Sequence, residues 1–234
     1  MVDGEDRHPG PRRRAVHVPA GFAVLSAVLL TVLAVATVER HGAPYPVDVD
    51  AHRWALTHRG RVAVNVAVVV TTSGTGFATY PFAAAGGLLA CRRIRWRGAL
   101  AGVAVLGLGQ IVRLVLAVGV HRPRPPSVDW AWTASGFAMP SGHTTTSAIT
   151  AVVLTVGIAR GVRGRARPVL LAVPGLWALG VGASRVYLGV HWLTDVVAGW
   201  LLAAVWTALL GLLVLALAHR RHRAAGTIPT TRPG

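Results

Sequence analysis

Residues 191–218 read HWLTDVVAGWLLAAVWTALLGLLVLALA, and Asp195 is the one acidic or basic-chain charge among them. A hydrocarbon core about 30 Å thick is crossed by roughly 20 helical residues, so a run this long and apolar reads as a membrane span. The same signature recurs near residues 18–38, 98–120, 142–160 and 168–186. The first of these follows basic residues, as a secretory leader would. It is too long for a leader's apolar core and has no small-residue cleavage site after it, so it reads as a retained span. Residues 62–90 are also apolar, but as one helix they would extend about 45 Å. The insert Thr71-Thr72-Ser73-Gly74-Thr75-Gly76 breaks that run, which predicts an approach helix near 62–72 and a second span near 75–91. The expected fold is therefore all-α, an integral membrane bundle of six transmembrane helices over residues 18–218. Arg-rich tails flank it at 1–17 and 219–234. Within the hydrophilic stretch 39–61, Val49 to Thr57 predicts a short interfacial helix with Trp54 at headgroup depth. Small residues such as Ala101-Gly102 and Gly180-Val181-Gly182 suit close helix packing in lipid.

Charge placement sets the orientation. The chain of 234 residues is 53% hydrophobic with a formal net charge of +16, and all 24 basic residues are Arg. A nucleic-acid-binding protein would show a basic stripe on a soluble face. Here the arginines flank apolar runs instead, which excludes that class. Arg7, Arg12, Arg13 and Arg14 precede the first span, and Arg92, Arg93, Arg95 and Arg97 separate the second from the third. Arg160, Arg163, Arg165 and Arg167 lie between the fourth and fifth, and Arg220, Arg221 and Arg223 follow the sixth. In a six-span bundle all of these fall on one side. The positive-inside rule makes that side the cytoplasm, with both termini in it and the protein in the cell membrane. Cys91 is the only cysteine, so no intramolecular disulfide is possible.

Some arginines are left over on the other side, and histidines accompany them. Arg122-Pro123-Arg124-Pro125 follows the third span, and Pro140-Ser141-Gly142-His143 opens the fourth. Ser184-Arg185 closes the fifth, and His191 and Asp195 open the sixth. All these segments sit at the predicted outer ends of the helices, where a bundle can bring them together as an anion site with acid–base groups. His191 and Asp195 are four apart and share a helical face. A carboxylate on one imidazole nitrogen fixes the tautomer and leaves the other as a lone-pair nucleophile. Ser141 and Gly142 form a helix start: the hydroxyl can cap, and free N–H groups favour an anion. His143, in the first turn, is placed to protonate a leaving oxygen. Arg124 and Arg185 can clamp the equatorial oxygens of a phosphoryl group with bidentate geometry.

At these residues the chain resembles the type 2 phosphatidic acid phosphatase superfamily, which also includes vanadium haloperoxidases and glucose-6-phosphatase-like enzymes. The family pattern is Lys-x6-Arg-Pro, then Pro-Ser-Gly-His, then Ser-Arg-x5-His-x3-Asp. The second part stands intact at 140–143, and the third at Ser184, Arg185, His191 and Asp195. The resemblance implies a metal-free phosphohistidine mechanism with no cofactor and a lipid phosphate as substrate. Polyprenyl diphosphates, phosphatidic acid and phosphatidylglycerol phosphate are the classes it suggests. The first part is degenerate. The family Lys falls at Ala117, and Arg113, one turn earlier on the same face, is the nearest basic residue. An arginine inside a span is a functional candidate by default, so Arg113 joins the phosphate-binding set. The missing Lys also motivates a different reading, a non-catalytic lipid-binding or lipid-translocating protein on the same scaffold. A zinc site from His121, His143 and His191 is disfavoured, because a ring of arginines repels a cation. His121 reads as a solvated loop residue, and Trp130, Trp132, Trp192, Trp200 and Trp206 as belt or packing residues, with Trp130 and Trp132 also candidates to line the mouth. The sequence carries no signal for oligomeric state.

Overall fold

The structure is a computed structural model and describes residues 11–225. Among them the chain forms eight α-helices and a single 3-10 turn, with no strand. The helices are α1 (Pro11–Glu39), α2 (Pro46–Thr57), α3 (Arg61–Ser73), α4 (Gly76–Ala90), α5 (Arg95–Val120), α6 (Gly142–Gly161), α7 (Arg167–Tyr187) and α8 (Leu193–Ala225). Five contain stretches long and apolar enough to cross a membrane: Ala20–Glu39 in α1, all of α5, α6 and α7, and Leu193–Arg220 in α8.

Three boundaries differ from the sequence expectation. Residues 11–17, expected as tail, begin α1, with Pro11 at the first position, where its missing N–H breaks no helical bond. The rest of that tail, residues 1–10, lies outside the described residues, as do 226–234 of the C-terminal one. The interfacial helix starts at Pro46 rather than 49, and the Asp48 carboxylate accepts the Tyr45 N–H at 3.0 Å, half of a capping box. The second span is not α4 alone, whose 15 residues would reach only about 22 Å. Together α3 and α4, bent by 56° at their junction, are long and apolar enough as a pair, and counted as one broken span they bring the candidate crossings to six. Gly74 at the break also allows a close approach to α7, since a Cβ there would lie 2.5 Å from Val181 Cγ1.

Helix α6 is central, packed on α4, α5, α7 and α8, while α1 packs on α8 and α3 on α7. Glycines set the closest approaches. A Cβ at Gly87 would overlap the Gly98 carbonyl of α5, and one at Gly157 the Gly86 carbonyl of α4. Without water to expel, helices in lipid associate through such close packing. The apolar core at this crossing is Ala83, Leu106, Ile149 and Ala203. Large apolar side chains such as Phe22, Leu25, Leu114, Val115, Leu213 and Val214 face outward. Polar hydroxyls go inside: Thr144, Thr145, Thr146, Ser147 and Thr150 of α6 are buried. Thr145 and Thr146 donate to the carbonyls of Ser141 and Gly142 at 2.9 and 2.6 Å, which keeps these two buried donors paired.

Gly87→Val forces α4 from α5, and overpacking of this kind costs about 1–3 kcal/mol. We expect a lower melting temperature in detergent. An unchanged melt would show that the two helices do not approach as described.

Candidate active site

The ends of α5, α6, α7 and α8 on one side of the bundle enclose a polar cavity of about 370 Å³. Its walls include Arg113, Arg124, Gly142, His143, Arg185 and His191, six residues singled out from sequence, together with Thr133, Ala134 and Ser135 of the loop before α6. No acidic side chain is in the lining, so three guanidinium groups and two imidazoles face one small volume. Such a space attracts an anion.

Asp195 stands behind the cavity wall. Its Oδ2 accepts the Trp192 N–H at 2.9 Å and lies 3.3 Å from His191 Nδ1. On the other side of the ring, His191 Nε2 is 2.8 Å from Arg124 Nη1. A guanidinium only donates, so Nε2 accepts, and the ring proton belongs on Nδ1, where it donates to Asp195. The lone pair is therefore directed at Arg124, itself part of the cavity wall. Burial lowers the His191 pKa well below its ordinary value, and the charges of Arg124 and Arg185 push in the same direction.

Arg124 is fixed by carbonyls. It donates to Ser135, Gly136 and Val190 at 2.7, 2.9 and 2.8 Å, which ties the loop before α6 to the start of α8. Burial lowers it to about 10, partly offset by Asp195, so it remains a cation at neutral pH. Arg185 is almost wholly buried and donates to Thr71 Oγ1 at 2.8 Å, across from the last turn of α3. Arg113 reaches the cavity from one turn below Ala117, its Cζ 3.4 Å from where a Cβ on Gly142 would stand. Ala117 itself is buried and does not line the space.

Ser141 departs from expectation. It precedes α6 but makes no side-chain cap; its hydroxyl accepts from Thr144 Oγ1 at 3.0 Å and its N–H donates to the Asp195 carbonyl at 3.0 Å. It is fully buried and outside the lining, because its polar atoms are used to join α6 to α8. Trp130 and Trp132 are not among the residues that line the cavity. Trp130 packs against the buried cluster of Ala67, Leu188 and Val190 and donates to the Pro125 carbonyl at 2.9 Å. His121 ends α5, exposed, with its ring 4.0 Å from that of Phe137.

A sequence model of the PAP2 superfamily matches residues 98–221. The chain belongs to that superfamily. Phosphatidylglycerophosphatase B of Bacillus subtilis (strain 168) is 32% identical over 109 residues, covering 46% of this chain and 53% of that protein. Phosphatidylglycerophosphatase B of Escherichia coli (strain K12) is 38% identical over 103 residues, 42% of this chain and 39% of that one. The matches thus span about half the length of these curated relatives or less. In structure, the chain resembles a transmembrane PAP2 type phosphatidylglycerolphosphate phosphatase from Bacillus subtilis. The TM-score is 0.68 at 24% identity, over 90% of this chain and 98% of that one. It also resembles Aquifex aeolicus LpxE, with a TM-score of 0.53 at 21% identity, over 70% and 96% of the two chains. At these identities the two structures speak to the fold, and the match to the transmembrane phosphatase agrees with an all-helical membrane bundle.

Sequence reasoning missed Thr71, Arg122, Asp48 and the loop residues 133–135. The depressed His191 pKa has a measurable sign. In the unfolded chain a histidine takes a proton near pH 6.5, and in the fold this one does not, so its contribution to stability is lost as pH falls below about 6.5. In ¹⁵N-histidine-labelled protein, the His191 signal should remain that of a neutral imidazole, Nδ1-protonated, as pH drops through 6.5. Titration near 6.5 would contradict the burial described.

Proposed function

We propose that this PAP2 protein is a membrane phosphatase that hydrolyses a lipid phosphate or diphosphate through a phosphohistidine on His191, at a site facing away from the cytoplasm. The observation that carries the proposal is His191 in the cavity wall, with Nδ1 on Asp195 and Nε2 against Arg124, and with Arg113 and Arg185 lining the same space. In the first step Nε2 attacks phosphorus and the bond to the lipid oxygen breaks. His143 gives that oxygen a proton. Asp195 stabilises the positive ring through Nδ1–H. The three guanidinium groups, with the N–H of Gly142, hold the phosphoryl oxygens where charge develops. In the second step His143, now neutral, takes a proton from water, which attacks the phosphohistidine and frees His191 and inorganic phosphate. No step calls for a metal or cofactor.

The volume suits a phosphoryl headgroup rather than a whole lipid, whose chains stay in the bilayer. That supports a substrate arriving laterally. The surplus of arginines at the opposite helix ends supports a cell-membrane protein with cytoplasmic termini and the cavity outside. The names of the curated relatives make phosphatidylglycerol phosphate the first substrate to try, with phosphatidic acid and polyprenyl diphosphates beside it. Arg113 in the cavity wall supports the enzymatic reading over lipid binding or translocation without chemistry, since it supplies the cation that Ala117 lacks.

Purified protein should release phosphate from one of these lipids in the presence of EDTA and leave soluble sugar phosphates untouched. His191→Ala should lower the rate by about 10³-fold or more, as loss of a nucleophile does. Stopping the native reaction in alkali should trap phosphate on His191. Turnover unchanged in His191→Ala would remove the assignment.

A further inference from the structure

Beneath His191 lies a buried charge network that contributes nothing to the cavity wall. Arg122, which stands among the unassigned residues between Ala117 and Arg124, has no solvent exposure. Its Nη1 donates to Asp195 Oδ1 at 2.6 Å and its Nη2 to Asp48 Oδ2 at 2.7 Å. Both carboxylate side chains are also fully buried. Thr194 closes the group: its N–H donates to Asp48 Oδ1 and its hydroxyl to Asp48 Oδ2, each at 2.8 Å. The same hydroxyl oxygen accepts from Arg122 Nη1 at 2.6 Å. Asp48 thus caps the start of α8 from a different helix, where a negative charge is favourable.

We infer that Asp48 and Arg122 are positioning residues for the nucleophile: Arg122 holds Oδ1 of Asp195 so that Oδ2 faces His191 Nδ1, and Asp48 anchors Arg122 from α2. The inference rests on the phosphatase reading for its kinetic part. Asp195 has two oxygens and two tasks. One oxygen faces the imidazole and the Trp192 N–H, and the other is taken by the guanidinium. A carboxylate free to rotate would present the imidazole with no fixed acceptor, and the Nδ1–H tautomer would lose its advantage. A lone cation–anion pair would also draw Asp195 charge away from the ring. The second carboxylate balances Arg122 and leaves the trio with one net negative charge for His191. Lysine cannot replace Arg122, because a point charge does not reach two carboxylates in a fixed fork. The interfacial helix α2 is in this way part of the reacting unit without touching substrate.

Asp48→Asn preserves shape and most acceptors, so it tests charge rather than fold. With dioleoyl phosphatidic acid, phosphatidylglycerol phosphate or a polyprenyl diphosphate, whichever the native chain hydrolyses, we expect kcat to fall about 10-fold with KM within about twofold. Arg122→Gln should lose about 100-fold or more, and Arg122→Lys should not restore it. In an Asp195→Asn background, Asp48→Asn should add less than about twofold, because its effect passes through Asp195. A full additional loss there, or a change confined to KM, would overturn the inference. If Arg122 variants fail to fold, the Asp48→Asn cycle decides alone. A substrate-free arm is independent of turnover: ¹⁵N-histidine spectra should show His191 Nδ1-protonated in the native protein and mixed tautomers in Asp48→Asn. An unaltered tautomer would overturn the inference. A native chain that hydrolyses none of these lipids but shows the tautomer change would sink the phosphatase reading and leave the positioning role standing.

Discussion

Water is scarce among helices that cross a bilayer, so any charge drawn below the headgroups must be answered by protein. Here that requirement falls on Arg122. It joins Asp48 of α2 and Asp195 of α8 in a pocket closed to solvent, and three elements distant in sequence are locked to one another through it. Buried pairs of this kind give little net stability compared with apolar packing, yet removing one partner is strongly destabilising. Their use is to specify geometry. The start of α8, the acid on its first turn and the imidazole just before it all take their places from this contact.

Around that anchor the molecule is sorted by polarity in the sense opposite to a soluble protein. Leucines and valines cover the outside, and the hydroxyls of α6 fill the inside, those of Thr145, Thr146 and Ser147 bonded to their own backbone. Glycines at 86, 87, 98, 102 and 157 let α4, α5 and α6 touch backbone to backbone. The rigid triple contact leaves the free helix ends, with their loops, to shape a cavity whose charge is wholly positive or neutral.

Much of this was legible beforehand. Apolar runs have a length set by the membrane, so the five unbroken spans could be read within a few residues. The histidines, Arg124, Arg185 and Asp195 stood in fixed spacings that few other purposes explain, and the structure gathers the cavity residues as read. The failures have physical causes. Ser141 looked like a cap because of where it stands, but its atoms were claimed by Thr144 and Asp195, contacts that no local spacing encodes. Arg122 was hidden by Arg124 two positions away, as loop arginines look alike until burial separates them. Asp48 sat in a hydrophilic stretch beside Asp50, with no motif to single it out. One signal was available: Asp48, His52 and Ala55 fall on one face of α2 and are its buried residues.

The bend between α3 and α4 has an effect beyond shortening a span. Had the helix run straight through, the carbonyl end of α3 would not exist, and its peptide dipoles would be continued by those of the next turn. By halting at Ser73 the chain leaves a negative pole beside Thr71, and that threonine holds Arg185. The interruption thus sets a helix C-terminus and a threonine hydroxyl beside a guanidinium in a cavity that has no carboxylate in its wall.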